Sequence, residues 1–438
     1  MRTRIALLPS EPIRARMAGI GIRYAELTRQ LTESGFEVVL LTAGTPEDVP
    51  SDLQRTAVDI RPFRRGNLAR LLTDCQAAVG QGQLANDLIL ECPQMPIAID
   101  LYDPWLIENM AYTETLGLAP YKNDHATWML QLSQGDFFLC SCEEQRLYYL
   151  GLLTAAGRVN PPTVHDDPDV RNLIDVVPFG VPGELPPHRP VLGPQVRGTR
   201  KLLFGALYDW YDPWPVLRAL ELLERPGWTV LFIRTPNAES TPQQRLQEIA
   251  DWAQRKRWWG TRVQVLDWIP ANRRYDLMRD VDVLVASHRH TLETRLSLRT
   301  RFLDALAVGC PVVTSEGGAI AGLLRDYDAG WVVPSHSPKA MAAAIAAVVE
   351  GGEEAKRHRQ PGVDRLLESF TWERATEPLV RFLRAPHIDE RKATYAFRPP
   401  TLAPERFEPT TSTAAEDAAG HGPGFGGRLR RLFGRGEG

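Results

Sequence analysis

Ser297, Arg301 and Asp304 recur at i, i+4 and i+7, so on a helix they share one face over its first two turns. A hydroxyl, a guanidinium and a carboxylate at a helix start suit one kind of ligand. Free backbone amides and the guanidinium take a diphosphate, and the carboxylate accepts from sugar hydroxyls. Arg295 and Arg299 lie in the same run, Ser287 to Gly318, SHRHTLETRLSLRTRFLDALAVGCPVVTSEGG. Each alternative is plain: a solvated basic face for Arg295 and Arg299, and an i, i+3 surface ion pair of little worth for Arg301 and Asp304.

The elements that hold these residues follow from spacing. Leu298, Phe302, Ala305 and Leu306 recur with a helical period, Ser297 stands where an N-cap belongs, and Gly309 closes the pattern. The apolar run VDVLVAS (281–287) reads as the strand before this helix. Further strands are expected at 201–207, 228–234 and 263–268, with helical stretches between them. In the first half, RIALLPS (4–10) opens as a buried strand, and MAGIGIRYAELTRQL turns through glycines into a helix ended by Gly35. Glu37–Thr42 follows as a second strand, then 77–79, 97–101, 137–140 and 175–179. Strand, glycine loop, helix, strand is the opening unit of a doubly wound sheet. Gly19 and Gly21 let amides approach a ligand at that helix start, and Arg23 adds positive charge there.

A dinucleotide site fails on two counts. Tyr24 stands at the third glycine of G-x-G-x-x-G, and the second strand ends in Leu41-Thr42 without the carboxylate that binds ribose. DLYDPW places Asp100 and Asp103 at a strand's C-terminal end, where a carboxylate can position or deprotonate a hydroxyl. Capping of the turn before Pro104 is the other explanation for Asp103. Tyr102 and Trp105 are acceptor platform or aromatic core.

At 438 residues the chain is long for one core, and its net charge of −3 gives no reason to expect nucleic acid as partner. The five cysteines lack zinc spacing and read as reduced core residues of a cytoplasmic protein. His288 and His290 have no partners at ligand spacing, so no metal is expected. No Walker loop, H-E-x-x-H or G-x-S-x-G is present. PFGVPGELPPHRPVLGPQVRG, 178–198, is dense in proline and glycine and marks a linker.

Several stretches in order resemble glycosyltransferase family 4. RTRFLDALAVGCPVVTSEGG is similar to that family's K-x-x-E-x-x-A-x-G-x-P-V-V signature, with Arg301 at the lysine and Asp304 at the glutamate. DVVPFGVP, AGWVVP and FTWERATEPLVRFL resemble further family segments, so the likeness spans about 1–385. More narrowly, LETRLSLRTRFLDAL with GDFFLCSCEEQRLYYLG resembles a bacterial subgroup linked to surface-polysaccharide synthesis.

The resemblance implies an α/β chain of two Rossmann-like doubly wound domains facing across a cleft, the GT-B fold, and the Pro, Thr, Ala and Gly-rich composition beyond about 385 reads as a disordered tail. The expected layout is an acceptor-side domain 1–183, a linker 184–198 and a nucleotide-sugar-binding domain 199–369. A helix 370–385 would then cross back to the first domain, before a tail 386–438. It also implies a retaining, metal-independent hexosyltransferase without cofactor, taking a nucleoside-diphosphate sugar as donor and a saccharide or lipid-linked acceptor. Gly205, Trp268, Ile269, Arg295, Ser297, Arg299, Arg301 and Asp304 would bind the donor, with Trp268-Ile269 at the base. Glu293 would lie near the transferred sugar, and Asp103 would serve the acceptor.

There are departures. Leu296 stands where the usual E-x7-E places its first glutamate, and Ala206 and Tyr211 replace a basic pair after Gly205. Arg295, Arg299 and Arg301, with Arg234 as a further candidate, are expected to supply the missing charge; an inactive copy is the alternative. An epimerase or a non-catalytic nucleotide-sugar-binding module would use the same fold. In the tail, Phe425, Leu429, Leu432 and Phe433 share a helical face apart from Arg428, Arg431 and Arg435. That suits peripheral contact with anionic lipid at the inner membrane face; an unstructured basic tail is the other explanation.

Overall fold

The computed structural model describes residues 2–395, apart from 57, 195, 197–199, 224–226 and 235–243. The tail from 396, with its expected disorder and lipid contact, lies outside the described residues. The chain divides into two compact units. One holds the chain up to Pro178 and again from Ala375; the other is Phe179–Arg374.

The first unit is a parallel sheet of β1 (Arg4–Leu8), β2 (Glu37–Thr42), β3 (Val58–Pro62), β4 (Ala77–Gln81), β5 (Ile97–Asp100), β6 (Phe137–Cys140) and β7 (Ile174–Val176). Their order is β3-β2-β1-β4-β5-β6-β7. Strands β4, β5 and β6 are buried along their whole length, as expected of a parallel sheet covered on both faces. Helix α1 (Gly19–Glu33) connects β1 to β2, and Gly35 turns the chain with φ +93°. Strand β3 lies outside the strands that the apolar runs predict. Its sequence, VDIRP, carries two charges and a proline, features tolerated at the edge of the sheet where it sits.

The second unit is a parallel sheet of β8 (Arg200–Ala206), β9 (Trp228–Ile233), β10 (Val263–Leu266), β11 (Val283–Ala286), β12 (Val312–Ser315) and β13 (Trp331–Val333). Its order is β10-β9-β8-β11-β12-β13. The winding reverses between β8 and β11, which pair through Val283↔Leu202 and Leu284↔Leu203. In such sheets the crevice beyond the carboxyl ends of that strand pair is where ligands bind. Four helices matter to it: α2 (Arg274–Arg279), α3 (Leu292–Leu296), α4 (Thr300–Ala307) and α5 (Ala319–Asp326).

Helix α4 stops where its glycine predicts. Gly309 has φ +72°, its amide donates to the Leu306 carbonyl at 3.0 Å, and Cys310 N donates to Ala305 O at 2.9 Å. The start differs from expectation. Arg299, not Ser297, is the N-cap residue of α4. Ser297 closes α3 instead, its hydroxyl held 2.8 Å from Glu293 Oε1. The turn into α5 passes Gly318 at φ +81°, where an added Cβ would come within 2.5 Å of the Thr294 carbonyl oxygen.

The proline-rich segment is tied to α2. Asp280 accepts from Val191 N at 2.6 Å and Leu192 N at 2.9 Å, and its other oxygen meets His188 Nε2 at 2.7 Å. Helix α6 (Trp372–Arg384) carries the chain out of the second unit. Within that unit Trp372 packs on Phe179 at 5.0 Å. Within the first, Phe382 stacks on Phe137 at 5.0 Å and Arg381 pairs with Asp175 at 3.0 Å. Beyond α6, Asp389 meets the buried Arg158 guanidinium at 2.7 Å.

Candidate functional site

The crevice of the second unit collects three arginines, and they differ in how their charge is met. Arg299 is paired with Glu293 at 2.8 Å, both side chains under 9 % exposed. Arg274, on α2, meets Asp304 of α4 at 3.4 Å. Arg301 has no carboxylate partner among the described residues. Its Nη1 donates to the Ala206 carbonyl at 3.3 Å, and its Nε is buried without an acceptor. Burial lowers the Arg301 pKa from the ordinary arginine value; Tyr211 opposes that shift and Arg299 adds to it.

The chain makes room for this guanidinium. Strand β8 breaks register between Leu203 and Gly205, and Gly205 has φ +88°. A Cβ there would lie 3.1 Å from Arg301 Nη1. The Tyr211 ring, in the turn after β8, lies 4.4 Å from the Arg299 guanidinium and 5.1 Å from that of Arg301. Phe204 adds a second aromatic contact to Arg301 at 5.4 Å. An uncharged aromatic cradle leaves the cation's charge unsatisfied, which is the condition for binding an anion.

His288, two residues after β11, is 4 % exposed. Its Nε2 lies 3.2 Å from the Thr314 hydroxyl, and its amide donates to Ser315 Oγ at 2.8 Å. Burial, then Arg299 and Arg301, push its pKa well below the usual histidine range, so the imidazole is neutral at neutral pH. Sequence reasoning gave it no role beyond a polar loop. Its alternation with exposed His290 was the available signal. Trp268 and Ile269 stand half-buried just past β10, and the Trp268 indole N–H is buried without a hydrogen-bond partner among the described residues.

Several expected roles change in the structure. Glu293 does not present a free carboxylate to a sugar: it is 4 % exposed, and its oxygens are taken by Ser297, Thr294 and Arg299. Ser297 is occupied in the same network. Asp304 faces Arg274 rather than acting alone beside Arg301, a partner sequence spacing could not reveal across 30 residues. Arg295 is exposed. Arg234 is also exposed, near Asp267 at 3.8 Å.

In the first unit the glycine loop is filled from within. Glu11 accepts from Ala18 N at 2.6 Å and Gly21 N at 2.8 Å, so one carboxylate occupies the start of α1. Gly19 is exposed, while Gly21 packs on Met17. Arg23 offers no charge to a ligand. It is fully buried, forks onto Asp100 at 2.8 and 3.2 Å, and lies 4.3 Å above Tyr102. Asp100 is thereby committed, and Asp103 stands half-buried in the next turn. Trp105 packs edge-on to Trp128 at 5.8 Å, as core. Among the described residues no three His, Cys, Asp or Glu group as metal ligands, and no helix is long and apolar enough to cross a membrane.

Comparison with known proteins bears on the fold. Residues 205–351 match the family model described as Glycosyl transferases group 1. No curated protein matches the sequence. A sucrose-phosphate synthase from Thermosynechococcus elongatus superposes with TM-score 0.61 at 17 % identity, covering 87 % of this chain and 98 % of that one. Anabaena HepE, solved in complex with UDP-glucose, superposes with TM-score 0.61 at 13 % identity, covering 88 % of this chain and all 100 % of its own. A glycosyltransferase from Rickettsia africae ESF-5 gives 0.56 at 11 %, covering 88 % and 99 %. The fold is GT-B: two doubly wound α/β units, the second carrying the group 1 match.

Proposed function

From the group 1 match and the GT-B fold we propose that this chain is a glycosyltransferase that takes its sugar from a nucleoside-diphosphate donor held in the crevice of the second unit. The observation that carries the proposal is Arg301: a buried guanidinium among aromatic rings, at the strand pair where the winding reverses, with no carboxylate partner among the described residues. A diphosphate supplies the missing charge. Trp268, whose indole N–H beyond β10 has no partner among the described residues, is assigned to the nucleotide base, and Asp304, steadied by Arg274, to the ribose.

As the bond between sugar and diphosphate breaks, negative charge builds on the leaving phosphate oxygens. Arg301 meets that charge with no carboxylate of its own among the described residues, Glu293 and Asp304 being engaged by Arg299 and Arg274, so its interaction strengthens towards the transition state. Arginine performs here what a divalent cation performs elsewhere, and the reaction is assigned as metal-independent. We assign the acceptor, a saccharide or lipid-linked saccharide, to the first unit with Asp103 as its polar contact, and retention as the stereochemical course. Synthesis of surface polysaccharide is the setting we assign from the sequence resemblance.

Because HepE was solved with UDP-glucose, calorimetry begins with UDP and UDP-glucose and extends to GDP and ADP and their sugars. Binding of at least one, weakened about tenfold or more by Arg301→Ala in a variant that still folds, is the expected result. Transfer is then followed by product formation with and without added acceptor. Failure of all three diphosphates to bind, or equal binding by Arg301→Ala, overturns the proposal.

A further inference from the structure

Tyr211 stands in a place that the donor assignment alone does not explain. Two guanidiniums converge on one ring, Arg299 at 4.4 Å and Arg301 at 5.1 Å. Among the described residues the first of them alone has a carboxylate to offset it, Glu293 at 2.8 Å. Two like charges drawn together repel, and Arg299 indeed helps lower the proton affinity of Arg301. Something must hold them against that repulsion without neutralising them, and the negative face of an aromatic ring does so.

The ring is itself fixed. Phe204 tilts against it at 6.3 Å, and Tyr208 and Trp210 meet it edge-on at 5.7 and 5.9 Å. Tyr208 and Trp210 stack on one another at 4.7 Å, nearly parallel. The Tyr211 amide donates to the Tyr208 carbonyl at 3.0 Å, closing the turn that carries all three rings out of β8. The aromatic turn is therefore a packed post, braced by its own rings and one backbone hydrogen bond.

We infer that Tyr211 is a positioning residue for diphosphate recognition: its ring holds Arg299 and Arg301 side by side, so that both donate to one pyrophosphate group while neither is neutralised by the post. The inference rests on the donor assignment above and adds to it the device that aligns the two cations. A carboxylate at 211 would cancel the charge the ligand needs. An aliphatic side chain would fill volume but leave two guanidiniums free to part. The phenol hydroxyl is not required, because the ring face does the holding.

The test measures binding of inorganic pyrophosphate and of UDP by calorimetry to the full chain and to Tyr211→Phe, Tyr211→Leu and Arg301→Ala. Thermal melts of each variant report folding. Tyr211→Leu is expected to lose about tenfold or more in affinity for both probes, Tyr211→Phe to restore it to within about threefold, and the Tyr211→Leu/Arg301→Ala double variant to bind no more weakly than Arg301→Ala alone. That non-additivity is what a merely structural tyrosine would not produce. Where Tyr211→Leu fails to fold, Tyr211→Met, apolar but without a ring face, takes its place.

If the parent chain binds UDP and Tyr211→Leu binds it equally, or if the two substitutions add in full, the inference is overturned while the donor assignment stands. If the parent chain binds neither UDP nor pyrophosphate, nor any other nucleoside diphosphate, the donor assignment falls and the inference with it.

Discussion

Glu293→Gln separates two roles for one carboxylate, because they predict different effects on UDP affinity. In the structure Glu293 and Arg299 form a pair at 2.8 Å with side chains 6 % and 8 % exposed. Removing one charge from a buried pair costs about 3–5 kcal/mol of stability. Glutamine keeps the length and the hydrogen bond to Ser297, so the loss is of charge and not of shape. A bound diphosphate then becomes the counter-charge for Arg299 as well as for Arg301. At an effective dielectric of about 20 a unit pair roughly 4 Å apart attracts by ~4 kcal/mol before desolvation is subtracted. A net gain of about 1.4 kcal/mol is a tenfold rise in affinity. Urea unfolding with and without UDP, alongside calorimetry, measures both. The variant should be less stable alone, bind UDP about tenfold more tightly, and recover most of its lost stability when saturated. A carboxylate acting on the sugar would give unchanged UDP affinity with transfer abolished. That result, or unchanged stability, refutes the assignment of Glu293 to Arg299.

Two further predictions concern the buried charges. Asp100→Asn leaves Arg23 without a counter-charge at a site where both side chains are 0 % exposed, and should lower unfolding stability by about 3–5 kcal/mol in urea, with Arg23→Met/Asp100→Leu recovering a large part. His288, held neutral by burial, should make stability fall on the acid side: the unfolded chain takes up a proton below pH ~6.5 and the folded chain does not, so stability is full above that pH and is lost below it by up to ~1.4 kcal/mol per pH unit. His288→Asn should flatten that limb by up to one proton, read from unfolding curves between about pH 5 and 8; an unaltered slope refutes it.

Much of the architecture is legible because parallel strands buried on both faces write themselves as apolar runs, VDVLVAS and RIALLPS among them. Gly309 announces its stop because a left-handed residue is needed there. Edge strand β3 escapes because half its surface is wet and its composition is that of a turn. Ser297 reads as the head of the helix through Phe302; the N-cap falls two residues later, at Arg299, because Glu293 gathers Ser297 and Arg299 into one network. The site is legible in kind and not in detail. Clustered arginines are visible, but which of them is neutralised depends on carboxylates from other elements, Asp304 for Arg274 and Glu293 for Arg299, while Arg301 meets the Tyr211 ring. The role of Glu11 had only a faint signal, an acidic residue just after the first strand.

The first unit is made of two stretches of chain separated by the whole of the second. Phe382, Arg381 and Asp389 complete the surroundings of Phe137, Asp175 and Arg158. During synthesis these partners leave the ribosome after the second unit, which therefore has all its sequence before the first does. The early segment waits with an aromatic face uncovered and a guanidinium lacking its counterion. Expressing residues 1–178 alone therefore yields an unfinished object, whereas cutting at 179 and 374 excises the second unit whole.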